Sequence, residues 1–306
     1  MKNTVDIRDV SKRYGRVEAV RNVTFALPPG ETVALVGHNG AGKTTLIKLM
    51  LGLIHPSAGT ITVLDENPAA GESAARRRLG YLPENVSFNA ALTGRELLSF
   101  YARLKGEAPK RAMPLLEQVG LAAAADRRVG TYSKGMRQRL GLAQALIGEP
   151  ALLLLDEPTT GLDPALRQSF YETVQQLRNR GATVVLSSHA LTELEERTDR
   201  VVIMNRGIMV ANGSLDALRR IARLPTRIRL RMADGNREAV QALLDPQERW
   251  QTINGHVVEI EAGPERKMDL LRRATRADMA IEDIEVMPPT LDELYAHFLR
   301  SQEAVQ

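Results

Sequence analysis

The chain has 306 residues, a net charge of +4 at pH 7 and no cysteine, which excludes disulfides, thiolate metal sites and cysteine nucleophiles. Its mild basic excess is far below the dense positive stripe of a nucleic-acid groove, so we expect no nucleic-acid partner. It shows no signal-peptide pattern and no apolar run near the roughly 18 residues of a membrane helix, so we expect a soluble, cytoplasmic protein. If the chain serves a membrane process, other subunits supply the membrane part.

The first predicted elements are two strands, at residues 5–10 and 23–27. The first alternates polar and apolar residues, as a half-buried strand does. A turn that contains Tyr14 follows it. Tyr14 can stack on an adenine ring through its π-face, or it can be an exposed tyrosine of a surface turn. Its residue type alone favours the second interpretation.

A phosphate-binding loop is predicted after the next strand. The apolar run at residues 32–36 predicts a buried strand, and the pattern at residues 46–51 predicts a helix. The loop between them, called the phosphate loop below, consists of Gly37, His38, Asn39, Gly40, Ala41, Gly42, Lys43, Thr44 and Thr45. Its small residues let backbone N–H groups converge on phosphates at the start of a helix. Lys43 can reach the terminal phosphates and the Thr44 hydroxyl can ligate Mg²⁺, whereas a bare glycine turn would bind nothing.

A helical subdomain is predicted at about residues 85–150. The pattern from residue 93 to about 121 is helical. Further along, Ser133 is a good N-cap for another helix. Ser133 and Gly135 therefore lie at the positive end of a helix, where a second anion can bind.

Two buried strands, at residues 152–155 and 183–188, end in polar side chains. Asp156 and Glu157 follow the first, and His189 follows the second. Asp156 can hold Mg²⁺ beside the phosphate loop, Glu157 can orient and deprotonate a water, and His189 can donate a hydrogen bond to a γ-phosphate. The acids could also mark a strand turning into solvent, and a lone histidine is more often structural. The phosphate loop upstream favours the catalytic interpretation.

A second, smaller domain follows a linker at residues 223–225. The elements predicted for residues 226–286 have the order βαββαβ, with one helix at 236–244, which is typical of a ferredoxin-like α+β fold. We therefore expect a nucleotide-binding domain at residues 1–220 and an accessory or dimerisation domain at residues 226–306.

Residues 14–189 resemble the ATP-binding cassette of ABC transporters. The matching segments are the Walker A loop (37–44), the signature motif (132–136), Walker B with the catalytic glutamate (152–157), the D-loop (161–163) and the switch histidine His189. The resemblance implies an α/β fold with a mixed-sheet core and a helical subdomain, with ATP and Mg²⁺ as cofactors. It also implies that Tyr14 stacks on adenine. It further implies a head-to-tail dimer, in which each ATP lies between the phosphate loop of one copy and Ser133 to Gly135 of the other.

The chain departs from the family pattern in two places. Its signature motif reads Tyr132-Ser133-Lys134-Gly135-Met136 instead of the commonest Leu-Ser-Gly-Gly-Gln. Glu84 stands where the family normally has a glutamine that senses Mg²⁺ and the membrane partner together. A carboxylate there adds negative charge near the metal. Glu84 is thus a further candidate metal ligand, and we expect a working ATPase with altered coupling.

Three segments are similar to the NosF type, the ATPase of a transporter tied to copper-site maturation of nitrous oxide reductase: 37–40, 80–86 and 132–142. This resemblance implies an integral membrane permease and a periplasmic partner. Soft copper ligands are not grouped in this chain, so partner proteins would handle copper or sulfur. Residues 289–295 resemble tails of other exporter-type ATPases, so the alternative is an ABC-2-type exporter for another substrate.

Two further interpretations stay open. A soluble ABC ATPase could act on ribosomes or DNA, although such members usually carry two cassettes or a long coiled coil. A binding module could use ATP only to dimerise, and the carboxylate at Glu84 keeps that interpretation open.

Overall fold

The computed structural model describes residues 2–70, 73–188, 190–232, 244, 249–276 and 281–303. The chain divides into two compact units, Met1–Gly213 and Ser214–Gln306. The sequence placed this change at residues 220–226. The division falls earlier because a helix at Leu215–Ala222 packs against the last helix of the second unit.

The strands of the first unit are β1 (Val5–Tyr14), β2 (Val17–Leu27), β3 (Thr32–Val36), β4 (Ala58–Val63), β5 (Leu79–Leu82), β6 (Leu152–Asp156), β7 (Thr183–Ser187), β8 (Arg200–Asn205) and β9 (Ile208–Gly213). In the described residues they form a three-stranded antiparallel sheet, β2-β1-β4, and a six-stranded sheet, β5-β6-β7-β3-β8-β9. All neighbours in the larger sheet are parallel except β8 and β9. The predicted mixed sheet is therefore present. Tyr14 is the last residue of β1, so its predicted place in a turn was wrong by one residue position.

The helices of the first unit are α1 (Lys43–Met50), α2 (Ser73–Arg77), α3 (Gly94–Leu104), α4 (Ala112–Gln118), α5 (Lys134–Ala145), α6 (Pro164–Asn179) and α7 (Leu191–Glu195). The pattern predicted as one helical stretch at residues 93–121 contains two helices, α3 and α4. Gly106 ends the first with a left-handed backbone (φ 79°), and Pro109 follows in the connection. Both residues interrupt a helix, because glycine favours the left-handed cap and proline lacks an N–H donor.

The core of the first unit lies on the parallel part of the larger sheet. Every residue of β3, β6 and β7 is buried. Continuous apolar strands of this kind are typical of a parallel sheet that is covered on both faces. The parallel arrangement brings the carboxyl ends of these strands to one edge, where ligands bind in open α/β sheets.

The second unit contains α8 (Leu215–Ala222), β10 (Thr226–Met232), β11 (Arg249–Asn254), β12 (Val257–Ala262), α9 (Lys267–Arg276), β13 (Ile281–Met287) and α10 (Leu291–Glu303). Its described strands form an antiparallel sheet of order β11-β12-β10-β13. That order places one strand of the other half between the two strands of each split βαβ half, as the predicted βαββαβ chain requires. The helix predicted at residues 236–244 lies almost wholly outside the described residues. Ile228, Leu230, Ile260 and Leu270 belong to a core of this unit's own.

In the described part of the chain, no helix is both long enough and apolar enough to cross a membrane.

Candidate functional site

The phosphate loop connects β3 to α1. Gly42 is the N-cap of α1 in a left-handed conformation (φ 104°), and no side chain caps the first turn of this helix. A Cβ added at Gly42 would lie 2.5 Å from the Ala19 carbonyl oxygen, and one added at Gly37 would lie 2.5 Å from that of Met204. Both positions therefore need glycine. The first amides of α1 point to the loop, which makes it suited to an anion.

Lys43 lies beneath the loop and is buried. Its Nζ donates to the carbonyl oxygens of Gly37 and His38. Burial lowers the pKa of Lys43, while the negative charges of Glu157, Asp156 and Glu84 oppose that shift. The ammonium thus binds two carbonyl groups of the phosphate loop and feels three carboxylates, so it can supply the cation that a bound phosphate needs.

A chain of hydrogen bonds links the phosphate loop to the ends of β6 and β7. The Thr44 hydroxyl donates to Asp156 Oδ2 over 3.0 Å. The Ser187 hydroxyl donates to Asp156 Oδ1 over 2.6 Å, and it accepts from the Glu157 backbone N–H over 3.0 Å. Asp156 is therefore oriented from both sides. Sequence reasoning missed Ser187, although its place at the end of a strand that pairs with β6 was the available signal.

Glu157 is buried and directly follows β6. Its backbone is left-handed, with φ 47°, which is uncommon for a residue that carries a Cβ. Non-glycine residues in this conformation cluster at active sites. A buried carboxylate in this place, one residue after Asp156, can accept a proton from a water that lies next to the phosphate loop.

The site fits a magnesium ion held mainly by the nucleotide. Within the described ranges, no three His, Cys, Asp or Glu side chains are grouped so that they could hold a metal ion. Thr44 and Asp156 instead offer two oxygen ligands in contact with each other. Mg²⁺ is commonly bound by one or two protein oxygens together with phosphates and waters. Glu84 is exposed and acts on Lys43 through its charge, so its role as a metal ligand stays a prediction.

An open cavity of about 650 Å³ extends along the phosphate loop. Residues 38–45 of the loop line it, together with Tyr14, Glu18, Arg21 and Arg206. Tyr14 is 47 % exposed, and Lys12 Nζ lies 5.2 Å from the centre of its ring. The side chain of His38 is fixed by contacts of its two ring nitrogens with Asn39 O (2.6 Å) and Asn205 Oδ1 (2.8 Å). The cavity thus places an aromatic ring beside the predicted phosphate site.

Ser133 and Gly135 lie at the start of α5 and do not line the cavity of the phosphate loop. Ser133 caps α5, and its Oγ accepts a hydrogen bond from the Met136 backbone N–H over 3.2 Å. Neither residue is among the described residues that line the cavity of the phosphate loop. A single copy of the described chain thus does not bring the two predicted anion sites together. His189 lies outside the described residues, so its predicted role stays a prediction.

The chain is similar to proteins of known families. The family model described as "ABC transporter" matches residues 20–160. A Nod factor export ATP-binding protein I from Burkholderia orbicola (strain AU 1054) is 41 % identical over 70 % of this chain and 72 % of that protein. The linearmycin resistance ATP-binding protein LnrL from Bacillus subtilis (strain 168) is 34 % identical over 94 % of this chain and 95 % of that protein.

A solved structure described as the ATP binding subunit of an ABC transporter has the same architecture. It is 35 % identical to this chain and superimposes with a TM-score of 0.68, covering 71 % of this chain and 92 % of that one. The family match covers both the phosphate loop and the Asp156–Glu157 strand end described above. The chain is therefore an ATP-hydrolysing protein with ATP and Mg²⁺ as cofactors, and it belongs to the family of ABC transporter ATP-binding subunits.

Proposed function

We propose that this chain is the ATPase of an exporter and that it drives a separate integral membrane permease. One observation carries the proposal: the relative LnrL, a resistance protein by name, matches 94 % of this chain, so the similarity includes the second unit as well as the cassette. The relative from Burkholderia orbicola is named for the export of Nod factors. In this proposal the permease holds the chain at the inner face of the cytoplasmic membrane.

The site residues have distinct roles in this proposal. The amides of the phosphate loop and Lys43 bind the phosphates, and Tyr14 stacks on adenine. Thr44 and Asp156 hold Mg²⁺, which supplies charge neutralisation at the phosphates. Glu157 orients the attacking water and accepts its proton, while His189 donates a hydrogen bond to the γ-phosphate.

The complete site needs a second copy of the chain. Ser133 and Gly135 lie at the start of α5 and outside the cavity of their own phosphate loop. We propose that they contact the ATP held by the other copy, in a head-to-tail dimer. ATP binding then closes the dimer and hydrolysis opens it. The permease can use this closing and opening motion.

A role in copper-site maturation of nitrous oxide reductase is the second candidate. It is favoured by the similarity of residues 37–40, 80–86 and 132–142 to the NosF type, and it adds a periplasmic partner. The chain has no cysteine, and its described residues contain no metal-binding group of acidic or histidine side chains. Copper or sulfur would therefore be handled by partner proteins.

Glu157→Gln tests the catalytic assignment. The amide keeps the size of the side chain but cannot accept the proton, so we expect at least a hundredfold lower ATP turnover and a stable dimer with ATP. Turnover is measured as phosphate release, and the dimer by size-exclusion chromatography with and without ATP. Glu196→Gln, at an exposed position, is the matched control and should hydrolyse ATP normally. Undiminished turnover in Glu157→Gln would contradict the assignment.

A deletion strain distinguishes the two cargo classes. Complementation with the wild-type chain, but not with Glu157→Gln, should restore resistance to a toxic compound if the chain drives export. Restored copper content of nitrous oxide reductase would instead favour the second candidate. In either case the chain should co-purify with a multi-span membrane protein. Recovery with ribosomes or DNA alone would contradict both.

A further inference from the structure

Lys105 is a partly buried lysine at the end of α3, where it is the C-cap residue. Its Nζ donates two hydrogen bonds to backbone carbonyl oxygens, to Leu79 over 2.7 Å and to Ile147 over 2.9 Å. These acceptors lie 26 and 42 residues away along the chain. One ammonium therefore connects three separate segments of the first unit.

One acceptor lies in the sheet, and the other lies in the segment by which the chain returns from the helical subdomain to the sheet. Leu79 is the first residue of β5, the edge strand from which the chain enters the subdomain. Ile147 follows α5, at the point where the chain returns toward β6. Lys105 itself belongs to the subdomain. The Lys105 side chain thus hydrogen-bonds to the two chain segments that precede and follow the subdomain, β5 and the connection from α5 to β6.

The bond to Ile147 acts on the helix that carries the signature motif. A positive charge at the C-terminal end of a helix is favourable, because the last carbonyl groups carry partial negative charge. Helix α5 has 12 residues and is therefore about 18 Å long, with Ser133 and Gly135 at its other end. A tilt of about 10° at Ile147 would displace that end by roughly 3 Å. A hydrogen bond to an anion does not survive such a displacement.

We propose that Lys105 is a positioning residue, which fixes the direction of α5 so that Ser133 and Gly135 can contact the ATP of a second copy. The inference rests on the two-copy site proposed above. Lys105 thus takes part in closing the dimer, although its side chain lies about one helix length away from the anion site at Ser133 and Gly135.

The energetics of Lys105 agree with a role in geometry more than in stability. Burial lowers the pKa of Lys105 to about 8, and the charge of Glu107 opposes that shift. A lowered lysine pKa means that the protonated side chain opposes folding at neutral pH. Buried charged groups that stabilise little can still specify one arrangement of the chain. Removal of Lys105 should therefore harm the arrangement of α5 more than the stability of the unit.

Lys105→Met tests the proposal in the full chain that also carries Glu157→Gln. Methionine fills similar space but donates no hydrogen bond, so we expect at least tenfold weaker ATP-dependent dimerisation. The affinity of the monomer for trinitrophenyl-ATP should change less than twofold, because the phosphate loop is untouched. Lys105→Arg keeps the charge and the donors and should retain dimerisation within about threefold. Arg103→Met, an exposed basic residue of the same helix, is the matched control and should have no effect.

The dimer is measured by sedimentation velocity, and folding by the melting temperature. Normal dimerisation of Lys105→Met would overturn the proposal, and so would an equal loss of nucleotide affinity and dimerisation, since that pattern indicates general damage. If Lys105→Met does not fold, Lys105→Leu, which also donates no hydrogen bond, takes its place with the same criteria.

Ser133→Ala separates this inference from the proposed function. If Ser133→Ala fails to dimerise while Lys105→Met dimerises normally, the two-copy site stands and the role of Lys105 is wrong. If Ser133→Ala dimerises normally, the two-copy site is wrong and the role of Lys105 falls with it. If both variants lose dimerisation but keep nucleotide affinity, both are supported.

Discussion

Ser187 has the most specific role among the residues that join β6 to β7. Its hydroxyl donates to Asp156 and accepts from the amide of Glu157, so one side chain orients both acidic residues. Groups that hold a metal ligand in place commonly affect activity by one or two orders of magnitude. Ser187 should therefore influence turnover without touching the nucleotide.

Ser187→Ala should lower kcat for ATP hydrolysis about tenfold, which is a loss of about 1.4 kcal/mol in transition-state stabilisation. The KM for ATP should change little, because the phosphate loop and Lys43 are unaltered. Steady-state phosphate release over a range of ATP concentrations separates the two constants. Ser301→Ala, at an exposed position of the second unit, is the control. A rise in KM with unchanged kcat would contradict the orienting role.

At the scale of elements, β5 and α5 approach each other closely. A Cβ added at Gly80 would overlap the backbone oxygen of Ala145 and would lie 2.6 Å from a methyl group of Leu153. Backbone atoms cannot move aside as a flexible side chain can. The contact therefore needs glycine for space, and the β5–α5 distance depends on it.

Gly80→Ala should reduce the free energy of unfolding by about 2 kcal/mol, as overpacking in a core does. Because the added methyl group would push α5 away from β5, ATP-dependent dimerisation in the Glu157→Gln background should weaken too. Urea denaturation measures the first effect. Gly255→Ala adds a Cβ into open space and should change stability by less than about 0.5 kcal/mol. Equal stability of the two variants would show that the contact is not tight.

The sequence predicted the parts of the site that are local in the chain. The phosphate loop between β3 and α1, and the acids after β6, follow from short local patterns, in which a buried apolar strand ends in glycines or in acidic residues. Ser187 and Lys105 were missed because their partners lie 31 and up to 42 residues away, and neither residue type signals such a contact. The resemblance to the ATP-binding cassette already implied that Ser133 faces the phosphate loop of a second copy, and the residues that line the cavity agree with that expectation. Tertiary structure decides these long-range contacts, and the apolar periodicity of the sequence does not specify them.

At the scale of the whole molecule, each unit has its own hydrophobic core. In the first unit the core surrounds β3 and α1, and in the second it lies between the sheet and α9. Units of this kind can fold separately. The predicted dimerisation role of the second unit is therefore open to a direct test.

A chain truncated after Gly213 should unfold cooperatively and bind ATP as the full chain does. If the second unit stabilises the dimer, the truncated chain with Glu157→Gln should dimerise at least several-fold more weakly, because the contacts between the second units are lost. Sedimentation velocity with ATP makes the comparison. Dimerisation as strong as that of the full chain would exclude this role for the second unit.

The left-handed backbone at Glu157 has a consequence for how this enzyme can change over evolution. A residue with a Cβ is held there at a cost of roughly 1–3 kcal/mol, which the surrounding strands must offset. Selection for stability alone would favour glycine or asparagine at this position, and either would remove the proposed base. In the role proposed for Glu157, the chain exchanges stability for reactivity at a single residue. Each ATP hydrolysed in that way depends on a conformation that an unconstrained peptide would seldom adopt.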